Sequence, residues 1–391
     1  MSRELINRSP DLKRLREDGY LIQILGGFLI MREVPYVDAS GKVQSGSLIS
    51  SLNLAGDVAQ KPDDHTVYFD GEYPCDSNGN ALSKIQNSSQ NYNLGNGLTA
   101  KHRFSSKPKQ GYADYYEKMA TYATIIAGPA AVLQPGVTPR SSREPDEDEE
   151  SVFNYVETAS DRVGIGALTD RLAVDRLAII GLGGTGSYIL DLVAKTPVPE
   201  IRLFDGDDLL SHNAFRGPGA PTIEQLRESL KKVDYYSAIY SRMHRGLVAH
   251  PVFLDKNNLD LLDGITFAFL AMPGGKAKRA IIGKLEADGV SFIDVGMGLE
   301  LDDNSLGGIL RVTASTPEKR NHFEGRVSVD HDEGEDIYSS NIQTADLNAM
   351  NATLAVHKWK KLREFYRDLE GEHHSTYTTD GNIIINSDQK S

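Results

Sequence analysis

Leu177-Ala178-Ile179-Ile180-Gly181-Leu182-Gly183-Gly184-Thr185-Gly186 is the stretch that decides the fold. Four apolar residues run directly into a glycine-rich turn, and the residues that follow, through Lys195, read as a helix. A turn of this kind lets backbone N–H groups approach phosphate oxygens, and the dipole of the helix behind it favours negative charge. Gly181, Gly183, Gly184 and Gly186 are therefore candidate nucleotide-binding residues. Asp205 stands at the end of the next expected strand, Glu200 to Phe204, where a carboxylate accepts both ribose hydroxyls. To this point a dinucleotide-dependent dehydrogenase would serve equally well.

Working outward, Ile265 to Leu270 and Val290 to Val295 read as further apolar strands, with helical segments near Ile223–Met243 and Lys276–Asp288. A long helix is expected around Ala345–Leu369, anchored by Leu347, Leu354, Trp359, Leu362 and Phe365. This alternation predicts an α/β domain: a doubly wound, Rossmann-like, mostly parallel sheet with helices on both faces. Residues 1–140 have a different grammar, rich in strands and turns. Leu21 to Val37 is extended and broken near Gly26-Gly27, His65 to Tyr73 is strand-like, and Tyr112 to Ile126 has helical spacing. That spacing puts Tyr112, Tyr116, Met119, Ala123 and Ile126 in a core stripe. A smaller α+β domain is expected there. Residues 141–154, with the acidic run Glu144 to Glu150, read as a solvated linker, and residues 155–391 as the nucleotide domain.

The 391 residues suit two domains, and 39% hydrophobic with 25% charged residues is an ordinary globular balance. No apolar run reaches the roughly 20 residues of a membrane helix, and Met1 to Asp18 lacks the apolar core of a signal peptide. A cytoplasmic protein without a membrane partner is expected. A net charge of −13 argues against a nucleic-acid partner, which requires a basic face. The single cysteine, Cys75, excludes an internal disulfide or an all-cysteine metal cluster.

The segment Asp205-Gly206-Asp207-Asp208-Leu209-Leu210-Ser211-His212-Asn213-Ala214-Phe215-Arg216 separates the alternatives. With the glycine loop it resembles the ThiF-type adenylyltransferases and ubiquitin-activating enzymes, which carry a D-x-D pair and then an asparagine and an arginine at this spacing. The resemblance covers the chain from about residue 155 onward. It extends through Phe292 to Gly298, Ser340 to Ala352 and Trp359-Lys360-Lys361, and is similar to bacterial ThiF-domain proteins with an uncharacterised N-terminal domain found among ubiquitin-like conjugation genes. It implies Asp205 on the ribose, Asp207 beside it, and Asn213 and Arg216 near the ATP phosphates. Of Lys231-Lys232, Lys232 matches the family's phosphate-contacting lysine by its neighbouring valine. Arg162 falls where the family's arginine reaches into a dimer partner's ATP site.

The implied activity is ATP-dependent adenylation of the C-terminal carboxylate of a ubiquitin-like protein. Mg²⁺ as a second cofactor, a homodimer and a conjugating-enzyme homologue as a further partner go with it. The chain departs from the family twice. The run Leu270 to Arg279 keeps an arginine, Arg279, but lacks the magnesium-binding acid expected before it. Asp207 or Asp294 could substitute, Lys276 could replace the metal's charge, or the site could bind nucleotide without turnover, so the metal ligands stay open. The run Arg311 to Arg320 lacks the cysteine of thioester-forming relatives. Cys75 is read as unreactive. The alternative functions are a degenerate binding scaffold and a nicotinamide-dependent oxidoreductase.

Overall fold

In a computed structural model, residues 2–141, 151–155, 165–302, 304–327, 329 and 342–389 are described, and the chain divides into Met1–Asp170 and Arg171–Ser391. Arg162 and residues 142–150 of the expected linker lie outside the described residues.

The first unit opens with helices α1 (Ser2–Arg8) and α2 (Pro10–Glu17). Strands β1 (Ile22–Leu25), β2 (Phe28–Val37), β3 (Val43–Ser51), β6 (Thr66–Asp70), β7 (Gln86–Gly95) and β8 (Leu98–Ser105) form an antiparallel sheet in the order β1-β2-β3-β6-β8-β7. A separate two-stranded ribbon is made by β4 (Leu54–Ala55) and β5 (Val58–Ala59). The break foreseen at Gly26-Gly27 is a hairpin turn, with Gly26 at φ +56°. Strand β2 sends Leu29, Met31, Val34 and Tyr36 into the core beneath helix α3 (Tyr115–Leu133), while Phe28 and Ile30 face the other way. Helix α3 begins three residues later than its periodicity suggests because Asp114 caps it, accepting from the Glu117 amide at 2.8 Å. Of the expected stripe, Tyr112, Met119, Ala123 and Ile126 are buried and Tyr116 is half-buried, while Tyr115 and Tyr122, outside it, are fully buried. A one-turn helix, α4 (Gly166–Thr169), closes this unit.

The second unit is the doubly wound α/β fold. Strands β9 (Arg176–Ile180), β10 (Glu200–Phe204), β11 (Leu247–His250), β12 (Phe267–Leu270) and β13 (Ser291–Asp302) are parallel, in the order β11-β10-β9-β12-β13. Antiparallel strands β14 (Ser305–Ser315), β15 (His374–Thr378) and β16 (Ile383–Ser387) extend the sheet beyond β13. The chain runs from β9 outward through β10 and β11, then crosses back to place β12 on the other side of β9. The crevice of such a fold opens at the carboxyl ends of β9 and β12, where the winding reverses.

The central strands β9 and β12 are buried on both faces. Leu177 and Ile179 of β9 pack with helices α5 (Gly184–Val193), α8 (Lys232–Tyr240) and α11 (Ala345–Leu362), through Ile189, Val233 and Trp359 among others. Ala178 and Ile180 face helix α9 (Lys276–Ala287) through Ile281 and Leu285, and the one-turn helix α10 (Phe323–Arg326) joins the same cluster through Phe323. Buried Asp175 fastens α11 under β9, accepting from Trp359 Nε1 at 2.9 Å and from both arms of Arg363 at 2.6 and 2.7 Å.

Two expected helices are shorter in the structure. The Ile223–Met243 segment is split into α7 (Ile223–Arg227) and α8 by Ser229, at φ +50°. Helix α11 ends at Leu362, not Leu369, and Glu364 at φ +55° turns the chain back so that Phe365 N donates to Lys360 O at 2.9 Å.

Candidate functional site

The glycine loop joins β9 to α5. Gly181 has φ +91° and donates its N–H to Phe204 O at 2.8 Å, a conformation that disfavours any side chain. A Cβ on Gly186 would collide with the Gly181 carbonyl, and one on Gly184 with the Asn348 side-chain amide. At Gly183, the N-cap of α5, a Cβ would meet nothing within 4 Å, so the loop is open on that side. The unpaired N–H groups of a helix's first turn make such an open face suited to an anion.

Asp205, 7% exposed, spans the base of the loop. Its Oδ2 accepts from the Leu182 amide at 2.7 Å and its Oδ1 from the Asp207 amide at 2.9 Å. A carboxylate has about four acceptor positions, so two such bonds leave room for a ribose hydroxyl. The D-x-D pair is locked to the lysine pair. Asp207 O accepts from Lys232 N at 3.1 Å, and Lys232 Nζ lies 2.6 Å from Asp207 Oδ2 and 3.7 Å from Asp205 Oδ1. Lys232 is 6% exposed, whereas Lys231 turns outward to Gly206 O and Asp208. The structure thus brings Lys232, rather than Lys231, between the two aspartates.

Asn213 and Arg216 follow in and after a single helical turn, α6 (Ser211–Ala214). Asn213 is buried, and its Oδ1 accepts from the Leu210 amide at 2.8 Å. Arg216 is tied to the glycine loop by Asn348 of α11, whose Nδ2 donates to Arg216 O at 3.2 Å while its Oδ1 accepts from Thr185 Oγ1 at 2.9 Å. Arg216 Nε is a buried donor without a hydrogen-bond partner among the described residues, which leaves it available to an acceptor. His212 is pushed below its ordinary range, first by burial and then by the Arg216 and Lys232 charges, so both cations act on one small volume.

Sequence reading offered Asp294 as a stand-in for the missing acid but did not foresee the partners that surround it at the strand ends. Asp294, fully buried, is paired with Lys278 of α9 and lies 2.6 Å from Arg311 of β14. Asp294 is therefore charge-compensated and does not offer the free carboxylate needed to replace the missing acid. Asn348 and Asn351 were also passed over as site residues. The signal was present: two asparagines three apart on the buried face of an apolar helix need polar partners.

Cys75 lies in the other unit and is 2% exposed; burial, then Asp76 and Asp38, push its thiol up. His65 bonds Ser105 at 3.0 Å. Neither observation favours a nucleophile, whose pKa must fall.

Residues 10–158 match the family described as a domain of unknown function, DUF6791. No curated protein sequence matches the chain. Among solved structures, that of PaaA is similar with a TM-score of 0.44 at 18% identity, over 59% of this chain and 77% of that one. E. coli MccB with ATP is similar with a TM-score of 0.43 at 13% identity, over 60% and 70% of the two chains. E. coli tRNA N6-threonylcarbamoyladenosine dehydratase, TcdA, in complex with ATP, follows with a TM-score of 0.39 at 17% identity, over 52% and 92%. These are distant likenesses, and the doubly wound fold of the second unit stands on its own strand order and register.

Proposed function

We propose that the second unit binds ATP and adenylates the C-terminal carboxylate of a ubiquitin-like protein. The observation that carries this reading is the convergence on one glycine loop of Asp205, Asp207, Lys232 and, through Asn348, Arg216. Asp205 receives the ribose. The loop amides, Arg216 Nε and Asn213 Nδ2 donate to phosphate oxygens, and Lys232 adds a fixed positive charge. A carboxylate oxygen of the partner bonds to the α-phosphorus as the bond from that phosphorus to the bridging oxygen breaks. Pyrophosphate departs with the electron pair, an acyl-adenylate remains, and no proton is transferred. Donors already aimed at the phosphates stabilise the charge that develops there.

Mg²⁺ fits this site at Asp207. Its side chain is 56% exposed and its Oδ1 has no partner among the described residues, and magnesium is commonly held by one or two carboxylates together with phosphate oxygens and water. Bound there, it would neutralise phosphate charge. With no cysteine in the Arg311 to Arg320 run, the activated acyl group passes to a thiol or amine on another protein, such as a conjugating-enzyme homologue. Arg162, acting across a homodimer, belongs to the same reading. Mixing Arg162→Ala with Arg216→Ala subunits restores activity if the two arginines serve one site from different chains; mixed dimers without restoration refute the trans role.

The test of the main reading is exchange of labelled pyrophosphate into ATP, screened with the ubiquitin-like proteins of the same genome. Exchange should appear only with the cognate protein. Tight ATP binding with no exchange for any of them would favour the scaffold alternative, whose support is the acid missing between Leu270 and Arg279.

A further inference from the structure

Strands β12 and β13 end beside the glycine loop in a defined register. Ile180, Leu270 and Asp294 are paired across β9, β12 and β13, so Gly296, two residues further on, stands at the height of the loop itself. Arg311 of β14 is the register partner of Gly296. Its guanidinium lies over that glycine so closely that a Cβ there would be 2.6 Å from Nη2. Arg311 Nη2 donates to Asp294 Oδ2 at 2.6 Å and Nη1 to Thr313 Oγ1 at 2.9 Å. Helix α11 ties this place to the phosphate loop: Asn351 Nδ2 donates to Gly296 O at 3.0 Å, and Asn348, one turn earlier, contacts Gly184 and Thr185.

The charge balance of the cluster is the telling feature. Asp294 is 0% exposed and already paired with Lys278, itself 3% exposed. One lysine neutralises one aspartate, and among the described residues Arg311 has no ion-pair partner besides that shared aspartate, so it adds a positive charge to the cluster. His374, which shares Thr313 with Arg311 at 3.0 Å, adds no compensating negative charge. A guanidinium has five N–H donors, and Arg311 uses two of them among the described residues. The planar group is held from below by Asp294 and Thr313, backed by glycine, and has donors to spare. That is the form of a carboxylate or phosphate receptor.

The position decides which anion. Asp205, Lys232 and Arg216 lie on the β10 side of the glycine loop, where ribose and phosphates are assigned, while Arg311 lies on the opposite side, past β12 and β13. Attack in line with the departing pyrophosphate brings a carboxylate to the α-phosphate from the side away from the assigned phosphate ligands. We propose that Arg311 receives the chain-terminal carboxylate of the protein substrate and orients it toward the nucleotide, with Lys278, Asp294 and Gly296 fixing the arginine. This rests on the adenylation reading above.

The test uses the full chain saturated with the non-hydrolysable nucleotide AMPCPP, titrated with acetylglycylglycine and with its C-terminal amide as probes. The free carboxylate should bind about tenfold or more tighter than the amide, as a charge-assisted bond requires. Arg311→Gln should erase that preference while leaving the AMPCPP affinity within about twofold. Equal binding of the two peptides to the wild type, or a preference that survives Arg311→Gln, overturns the proposal. A tenfold loss of AMPCPP affinity in the variant also overturns it, by making Arg311 a phosphate ligand. Should the Gln variant fail to fold, Arg311→Lys keeps the cation and removes the planar fork: a reduced preference supports the proposal and an unchanged one overturns it. Failure of AMPCPP to bind the wild type is a distinct result, which refutes the nucleotide site itself.

Discussion

Replacing Lys232 by methionine tests the junction on which the nucleotide site depends. Methionine keeps most of the volume of the 6% exposed side chain and removes only the charge. Asp205, 7% exposed, then loses the cation 3.7 Å from its Oδ1, and Asp207 loses the one 2.6 Å from its Oδ2. Breaking a buried ion pair from one side typically costs about 3–5 kcal/mol. Here Asp205 keeps its two amide donors, and the Asp207 side chain is 56% exposed, so solvent takes over part of Lys232's role. The loss should lie at the low end, about 3 kcal/mol. For a unit of this size that lowers the urea midpoint by about 1 M, read by a probe in the second unit such as the fluorescence of Trp359. Asp205→Asn does not serve as a rescue, because each Asp205 oxygen accepts from a backbone amide and the asparagine NH2 would face one of those donors. A midpoint shift below about 0.3 M would show that Lys232 does not hold the aspartates and would refute the argument.

The remaining predictions concern ligand, rate and pH. Asp205→Ala should weaken ATP binding about tenfold or more in titration calorimetry, and the wild type should bind ATP far better than NAD; the reverse preference would revive the oxidoreductase reading. Arg216→Ala should slow pyrophosphate exchange about a hundredfold, equivalent to about 3 kcal/mol of lost stabilisation, whereas Cys75→Ala leaves it intact. His374 is pushed down to about 4, first by burial and then by Arg326 and Arg311. Between that value and the ordinary histidine range the unfolded chain binds the proton and the folded chain does not, so stability falls as pH drops from about 6.5 toward 4. His374→Gln should flatten that limb of a melting-temperature profile, and an unaltered limb would remove His374 as its cause.

Local sequence determined much of this protein. The run from Leu177 to Gly186 specifies strand, tight turn and helix through side-chain volume and backbone freedom alone, and the turn at Gly181 needs no distant partner to be recognisable. The alternation of apolar segments behind it was enough for a doubly wound fold, and Asp205 was legible from its place at a strand end, whereas Asp207 and Lys232 were named only by the family resemblance. Helix ends were less legible. The termini of α8 and α11 depend on single residues, Ser229 and Glu364, held at positive φ by their surroundings.

What only the tertiary structure decided is charge pairing across the sheet. Lys278, Asp294 and Arg311 come from a helix and two strands, and nothing in their spacing says that one aspartate meets two cations. Asp294 read as a spare acid in the sequence and is a neutralised one in the fold, while Arg311, in a stretch noted only for lacking a cysteine, stands level with the glycine loop. Backbone preferences act over a few residues and can be read in order along the chain. The balance of buried charge is set by strand register and helix packing, which become definite only when the sheet has closed.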